Sequence, residues 1–193
     1  MNVPNQITLA RLGLTGCFVA VISYDFGFQS LLALLFFSVA SFTDWLDGHL
    51  ARKWNQTTDF GKLLDPLVDK ILITSALFFL VYVDQVPIWM AILMVSREFL
   101  ITGLRLIATA KGVILAAEKI GKHKTISQIT AILIALTYLA SEDIYYTIKK
   151  MFLPELVGLA ASWLIFMSFS LATLLTVISG VFYFLKNRSF LTD

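Results

Sequence analysis

The chain has 193 residues, 58% of them hydrophobic and only 15% charged, against about 45–50% apolar and about 25% charged in soluble domains. With a mean hydropathy of +0.81, an aqueous domain of this size could not hide so much apolar surface, so the composition excludes a soluble globule and indicates a membrane protein. The formal net charge of +2 names no partner, and nothing basic enough for nucleic acid is present; in a membrane protein the placement of basic residues matters more than their sum.

Six apolar segments follow in chain order: 7–24, 30–54, 62–83, 87–110, 125–140 and 156–185. Six spans of about 20 residues use about 120, which leaves room for connections and none for a separate soluble domain. The expectation is all-α: one domain over 1–193, a polytopic bundle of six transmembrane helices around a cytoplasm-facing polar cavity. The amino end is uncharged before Arg11 and so lacks the basic region of a cleavable signal. Cys17, the single cysteine, excludes an intrachain disulfide and reads as a small buried hydrophobe.

Polar breaks are expected at 25–29, 55–61, 84–86, 111–124 and 141–155. With the amino end inside, Arg52, Lys53, Lys62, Lys111, Lys119, Lys122, Lys124, Lys186 and Arg188 share one side, and Asp25, Asp84, Glu142, Asp143 and Glu155 the other, with only Lys149 and Lys150 against them. The positive-inside rule then puts both termini in the cytoplasm.

Segments two to four carry Asp44, Asp47, Asp65, Asp69, Lys70, Arg97, Glu98 and Arg105. Each such group costs about 2.5–3.5 kcal/mol at a helix centre even on the lenient scale, so a functional site is the default reading. Asp44, Asp47, Gly48 and Arg52 stand at i, i+3, i+4 and i+8, on one helical face, and Asp65 and Asp69 at i, i+4 on the next helix. Four carboxylates at one depth would not all ionise unaided. Hard divalent cations resolve the conflict, and four aspartates suffice for two Mg²⁺ or Mn²⁺ ions. Gly48, Ala51 and Gly61 let a ligand approach the backbone, and Arg52 suits a diphosphate. Together these parts describe phosphoryl or phosphatidyl transfer, with a carboxylate taking a proton from an incoming hydroxyl.

The stretch from Asp44 to Asp69 reads D-x2-D-G-x2-A-R-x8-G-x3-D-x3-D and resembles the signature of the CDP-alcohol phosphatidyltransferase family. The resemblance implies a six-helix membrane enzyme that moves a phosphatidyl group from CDP-diacylglycerol to an alcohol and releases CMP. It implies metal binding by the residues matching Asp44, Asp47, Asp65 and Asp69, the last also as general base, and a CDP site along Gly48, Arg52, Thr58 and Gly61. Asn2 to Arg11, Ser96 to Arg105, and Gly121 to Thr125 are similar to the branch of that family that makes phosphatidylglycerophosphate. With them the likeness covers most of residues 1–128; Thr15 stands near where many relatives have proline.

An anionic acceptor, glycerol 3-phosphate, agrees with the basic residues. Arg97 and Arg105, eight apart, share nearly one face, and Lys122 and Lys124 open the next helix, so the four could hold its phosphate while its hydroxyl points to Asp69. The lysines also suit positive-inside determinants or contacts to anionic headgroups, and Glu98 is an alternative partner for Arg97. Asn5 and Thr8 read either as nucleotide contacts or as the start of the first helix. His49 and His123 read as loop polarity, and the four tryptophans as interfacial or lipid-facing anchors. The membrane places this chain among lipids, most naturally the inner (cytoplasmic) membrane, and a homodimer is compatible with the short connections by family analogy. Alternatives are a sister transferase using inositol phosphate, serine or phosphatidylglycerol, a carboxylate-lined cation transporter, and a noncatalytic lipid-binding bundle.

Overall fold

The computed structural model describes residues 3–54, 59–111, 119–150 and 152–187; within these, the side chains of 3–8, 44–54, 59–66, 69, 110 and 119–122 fall outside the description. Among the described residues there are six helices and no strand: α1 (Val3–Ile22), α2 (Gln29–Trp54), α3 (Asp59–Tyr82), α4 (Ile88–Ala110), α5 (Lys119–Lys149) and α6 (Glu155–Lys186).

Their ends follow from local chemistry. Pro87 and Pro154 stand immediately before α4 and α6 with extended φ/ψ, since a proline there forfeits no helical hydrogen bond. Asp84 takes a φ of 56° after α3, and the N–H of Gln85 donates to the carbonyl of Leu80 at 2.9 Å, the reversal that commonly closes a helix.

The structure corrects the sequence reading at several points: α5 begins at Lys119, inside the break expected at 111–124, and His49 and His123 lie in helices rather than loops. The fifth segment continues through Ser141, Glu142 and Asp143 to Lys149, where a polar break was expected. Tyr138 Oη donates to Glu142 Oε1 at 2.8 Å along the helix, and the Asp143 carboxylate accepts the backbone N–H of Ser30 at 2.7 Å, so polar side chains bonded within the protein extend the helix. Asn5 lies inside α1, which begins at Val3, and so does not cap it. Cys17 is exposed rather than buried, because the inward stripe of α1 is Arg11, Thr15 and Phe18.

The helices contact one another in a closed ring, in the order α1, α2, α5, α6, α4, α3 and back to α1, and α3 also touches α2 and α5. The core inside is built from Phe18, Phe37, Leu72, Leu77, Met90, Met94, Ile132 and Phe169, with Ala33, Ala40, Ala76, Ala131, Ala135 and Ala172 between them. Small residues at these crossings let the backbones approach closely. Phe18 and Phe37 meet at 5.9 Å between centroids, tilted by 55°, a favoured aromatic geometry.

The outside of the ring is apolar as well: Leu35, Phe42, Phe78, Trp89, Phe99, Leu106, Trp163, Leu171 and Phe182 are all exposed. Among the described residues, two helical stretches, His123–Lys149 and Glu155–Lys186, are long and apolar enough to cross a membrane, and Leu9–Ile22, Gln29–Thr43 and Lys70–Tyr82 are shorter apolar stretches. Trp89 and Trp163 are on the outer surface, as anchors would be.

Candidate active site

The register of α2 and α3 gives the aspartates their address. The buried positions of α2 are Ser30, Ala33, Phe37 and Ala40; continuing that stripe by helical spacing reaches positions 44, 47 and 51. On α3 the buried positions Val68, Leu72, Ile73, Ala76, Leu77 and Leu80 extend backward to 65 and 69 in the same way. Asp44 and Asp47 precede the end of α2 at Trp54, and Asp65 and Asp69 follow the start of α3 at Asp59. At ~1.5 Å rise per residue both pairs lie roughly 9–15 Å along their helices from the shared 55–58 connection. Two contacting helices therefore carry the four aspartate positions at matching distances from their connection.

The side chains of Asp44, Asp47, Asp65 and Asp69, and of Asn5, Thr8, Gly48, Ala51, Arg52, Gly61 and Lys122, lie outside the described residues, as does Thr58 altogether. Their backbone positions are α1 for Asn5 and Thr8, α2 for Gly48, Ala51 and Arg52, α3 for Gly61, and α5 for Lys122. An all-oxygen donor set of four carboxylates fits hard divalent cations, and no thiol or imidazole at these positions competes for a softer metal.

The side chains of Arg97, Arg105 and Lys124 are among the described residues, and they divide. Arg97 on α4 is half-buried; its Nη1 donates to Glu98 Oε1 at 3.1 Å. Lys124 on α5 is 2% exposed and its ammonium pairs with the same Glu98 oxygen. Thus Glu98, an alternative partner for Arg97 by sequence, takes both cations at once. Lys124 is a buried helical residue rather than part of a solvated basic connection. Arg105 is exposed, with its guanidinium carbon 5.6 Å from the centre of the Tyr183 ring on α6, a cation–π distance.

Several neighbours were not singled out by sequence. Gly180 faces Arg97 so closely that an added Cβ would stand 3.2 Å from Arg97 Cγ; the arginine stem uses the space the glycine leaves. One turn on, Tyr183 carries Arg105, so both arginines of α4 lean on α6. Gln128, one turn after Lys124, is buried, and among the described residues neither amide atom is hydrogen-bonded. It lines a cavity of about 10 Å³ together with Lys70, Thr74 and Glu98. Arg11 is 1% exposed on α1, and the Thr15 hydroxyl donates to its carbonyl at 2.9 Å, satisfying the threonine within the helix. A charge in an apolar stretch was the available signal for Arg11; no local signal exists for Gly180 or Tyr183.

A larger groove, about 430 Å³, lies between α5 and α6 and is lined by Thr130, Leu133, Ile134, Thr137, Tyr138, Ser141, Ala161, Leu164 and Ile165. Among the described residues no charged side chain lines it, and its Thr137 and Ser141 hydroxyls donate to carbonyls of their own helix. It lacks the chemistry that the aspartate stripe and the Glu98 cluster supply.

Comparison with known proteins agrees with that chemistry. Residues 1–185 match the family model described as CDP-alcohol phosphatidyltransferase. A Bacillus subtilis protein named CDP-diacylglycerol–glycerol-3-phosphate 3-phosphatidyltransferase is 39% identical over 198 residues, covering 96% of this chain and 95% of its own. Proteins of the same name from Rickettsia bellii, 33% identical over 95% of this chain and 93% of theirs, and Salmonella paratyphi A, 37% identical over 68% and 74%, are also similar. The match runs past the 44–69 signature into all six helices, and the chain belongs to the CDP-alcohol phosphatidyltransferase family.

Proposed function

We propose that this protein is a membrane enzyme that transfers the phosphatidyl group of CDP-diacylglycerol to sn-glycerol 3-phosphate, giving phosphatidylglycerophosphate and CMP in glycerophospholipid biosynthesis. The observation that carries the reading is full-length similarity to relatives bearing that activity in their name, joined to an aspartate pattern without departure from Asp44 to Asp69.

Asp44, Asp47, Asp65 and Asp69 would hold two Mg²⁺ or Mn²⁺ ions, which when bound neutralise the diphosphate and polarise its phosphorus. Asp69 takes the proton of the sn-1 hydroxyl; that oxygen bonds to the phosphatidyl phosphorus as the bond from phosphorus to the CMP oxygen breaks. Arg52 grips the diphosphate through paired oxygens. Gly48, Ala51 and Gly61 admit the nucleotide close to the backbone, with Asn5, Thr8 and Thr58 along its length. Arg97, Arg105, Lys122 and Lys124 hold the acceptor phosphate.

In this reading the 193 residues form one domain of six membrane-crossing helices in the inner (cytoplasmic) membrane, with both termini and a polar cavity on the cytoplasmic side. The apolar outer surface of the ring supports it, as does the basic side assigned by the positive-inside rule. A homodimer is compatible with it.

An acceptor panel tests the function. Purified protein in detergent receives CDP-diacylglycerol with glycerol 3-phosphate, inositol phosphate, serine or phosphatidylglycerol, and the lipid product is identified by mass. Phosphatidylglycerophosphate as the main product is expected. Another product would move the chain to a sister activity, and divalent cation flux into vesicles without any lipid product would replace transfer by transport.

A further inference from the structure

Two cations from different helices converge on one carboxylate oxygen. Glu98 Oε1 accepts from Arg97 of α4 at 3.1 Å and pairs with Lys124 of α5. The shared anion also forms a wall of the cavity that Lys70, Thr74 and Gln128 line. That cavity, about 10 Å³, has room for about one water and none for glycerol 3-phosphate.

Resting on the reading above, in which Arg97 and Lys124 hold the acceptor phosphate, we propose that Glu98 is a positioning residue for the acceptor, fixing both cations as a preset pair. A lysine that is 2% exposed is costly to keep in the interior unless its charge is paired, and Glu98 supplies such a pair. Two cations without a shared anion would also repel one another. With Glu98 between them, the ordering cost of two long side chains is met before the acceptor arrives. The arrangement also explains Gly180, whose missing side chain admits the Arg97 stem.

The test is steady-state kinetics of full-length Glu98→Gln and Glu98→Asp with both substrates varied. Glu98→Gln is expected to raise KM for glycerol 3-phosphate by about tenfold or more, as loss of one member of a buried charge pair should, with KM for CDP-diacylglycerol within about twofold. Glu98→Asp, which keeps the charge, should recover part of that loss. Should Glu98→Gln fail to fold, Glu98→Gln in an Arg97→Met/Lys124→Met background removes the cluster together; its acceptor KM should match that of Arg97→Met/Lys124→Met, and a further rise would overturn the proposal. Wild-type protein that uses glycerol 3-phosphate, with a variant in which both KM values move together or only kcat falls, overturns the positioning role alone. Wild-type protein that uses only a neutral acceptor overturns the functional reading, and this inference with it.

Discussion

The carboxylate of Asp143, far along α5, accepts the backbone N–H of Ser30 in the first turn of α2 at 2.7 Å. Helix N-termini leave N–H groups without intrahelical partners, and here another helix supplies the acceptor across 113 positions of sequence. Thr147, one turn later on α5, donates to the carbonyl of Gly27 at 2.9 Å. The α1–α2 connection is thus tied to α5 at the end of the bundle opposite the aspartates.

Asp143→Ala should therefore lower stability by about 1 kcal/mol, the usual worth of a helix cap. Asp143→Asn, which keeps an acceptor oxygen, should cost less. Thermal denaturation in detergent checks the order, and both variants should retain the wild-type KM values, because the tie is remote from the site.

At Gly180 the expected effect is graded by size. Gly180→Ala puts a Cβ 3.2 Å from Arg97 Cγ, which a small shift of the stem accommodates, so acceptor KM should rise no more than about threefold, under 1 kcal/mol. Gly180→Leu should displace Arg97 outright and raise acceptor KM by more than tenfold, roughly 1.4 kcal/mol or more. Equal effects of the two would separate Gly180 from Arg97.

Tyr183 offers Arg105 a ring face, while its buried hydroxyl makes no hydrogen bond among the described residues. Tyr183→Phe should leave stability and turnover nearly unchanged, since removing an unsatisfied buried hydroxyl costs nothing and can stabilise. Tyr183→Leu should weaken acceptor affinity by severalfold, in line with a cation–π contact of about 0.5–1 kcal/mol. Kinetics with glycerol 3-phosphate varied separates the two variants.

Cys17 is exposed on α1, off the buried stripe of Arg11, Thr15 and Phe18. With its side of the helix in hydrocarbon, an apolar maleimide should label the thiol in intact membranes and a charged one should not. Labelling by both at equal rates would argue against a lipid-facing α1.

The helices were largely legible because prolines, polar breaks and apolar runs agree on their ends: α4 and α6 start beside Pro87 and Pro154, as hydropathy suggests. The upper part of α5 was not legible, because Glu142 and Asp143 look like loop residues until Tyr138 and the start of α2 are seen to use them. The aspartate spacing was plain, since i, i+3 and i, i+4 patterns are properties of single helices. The fate of Lys124 was hidden: in sequence it belongs to a basic cluster, and only the approach of α4 to α5 makes it a buried partner of Glu98. Gly180 and Tyr183 were hidden for the same reason, because their importance lies in the α4–α6 contact.

The most direct measurement is CMP release from CDP-diacylglycerol by the wild-type protein and Asp69→Asn, each with and without glycerol 3-phosphate, in Mg²⁺ or EDTA. The account predicts release by wild type only when metal and glycerol 3-phosphate are both present, and loss of turnover in Asp69→Asn with some CDP-diacylglycerol binding retained. Release that survives EDTA, or Asp69→Asn turning over at the wild-type rate, would contradict it.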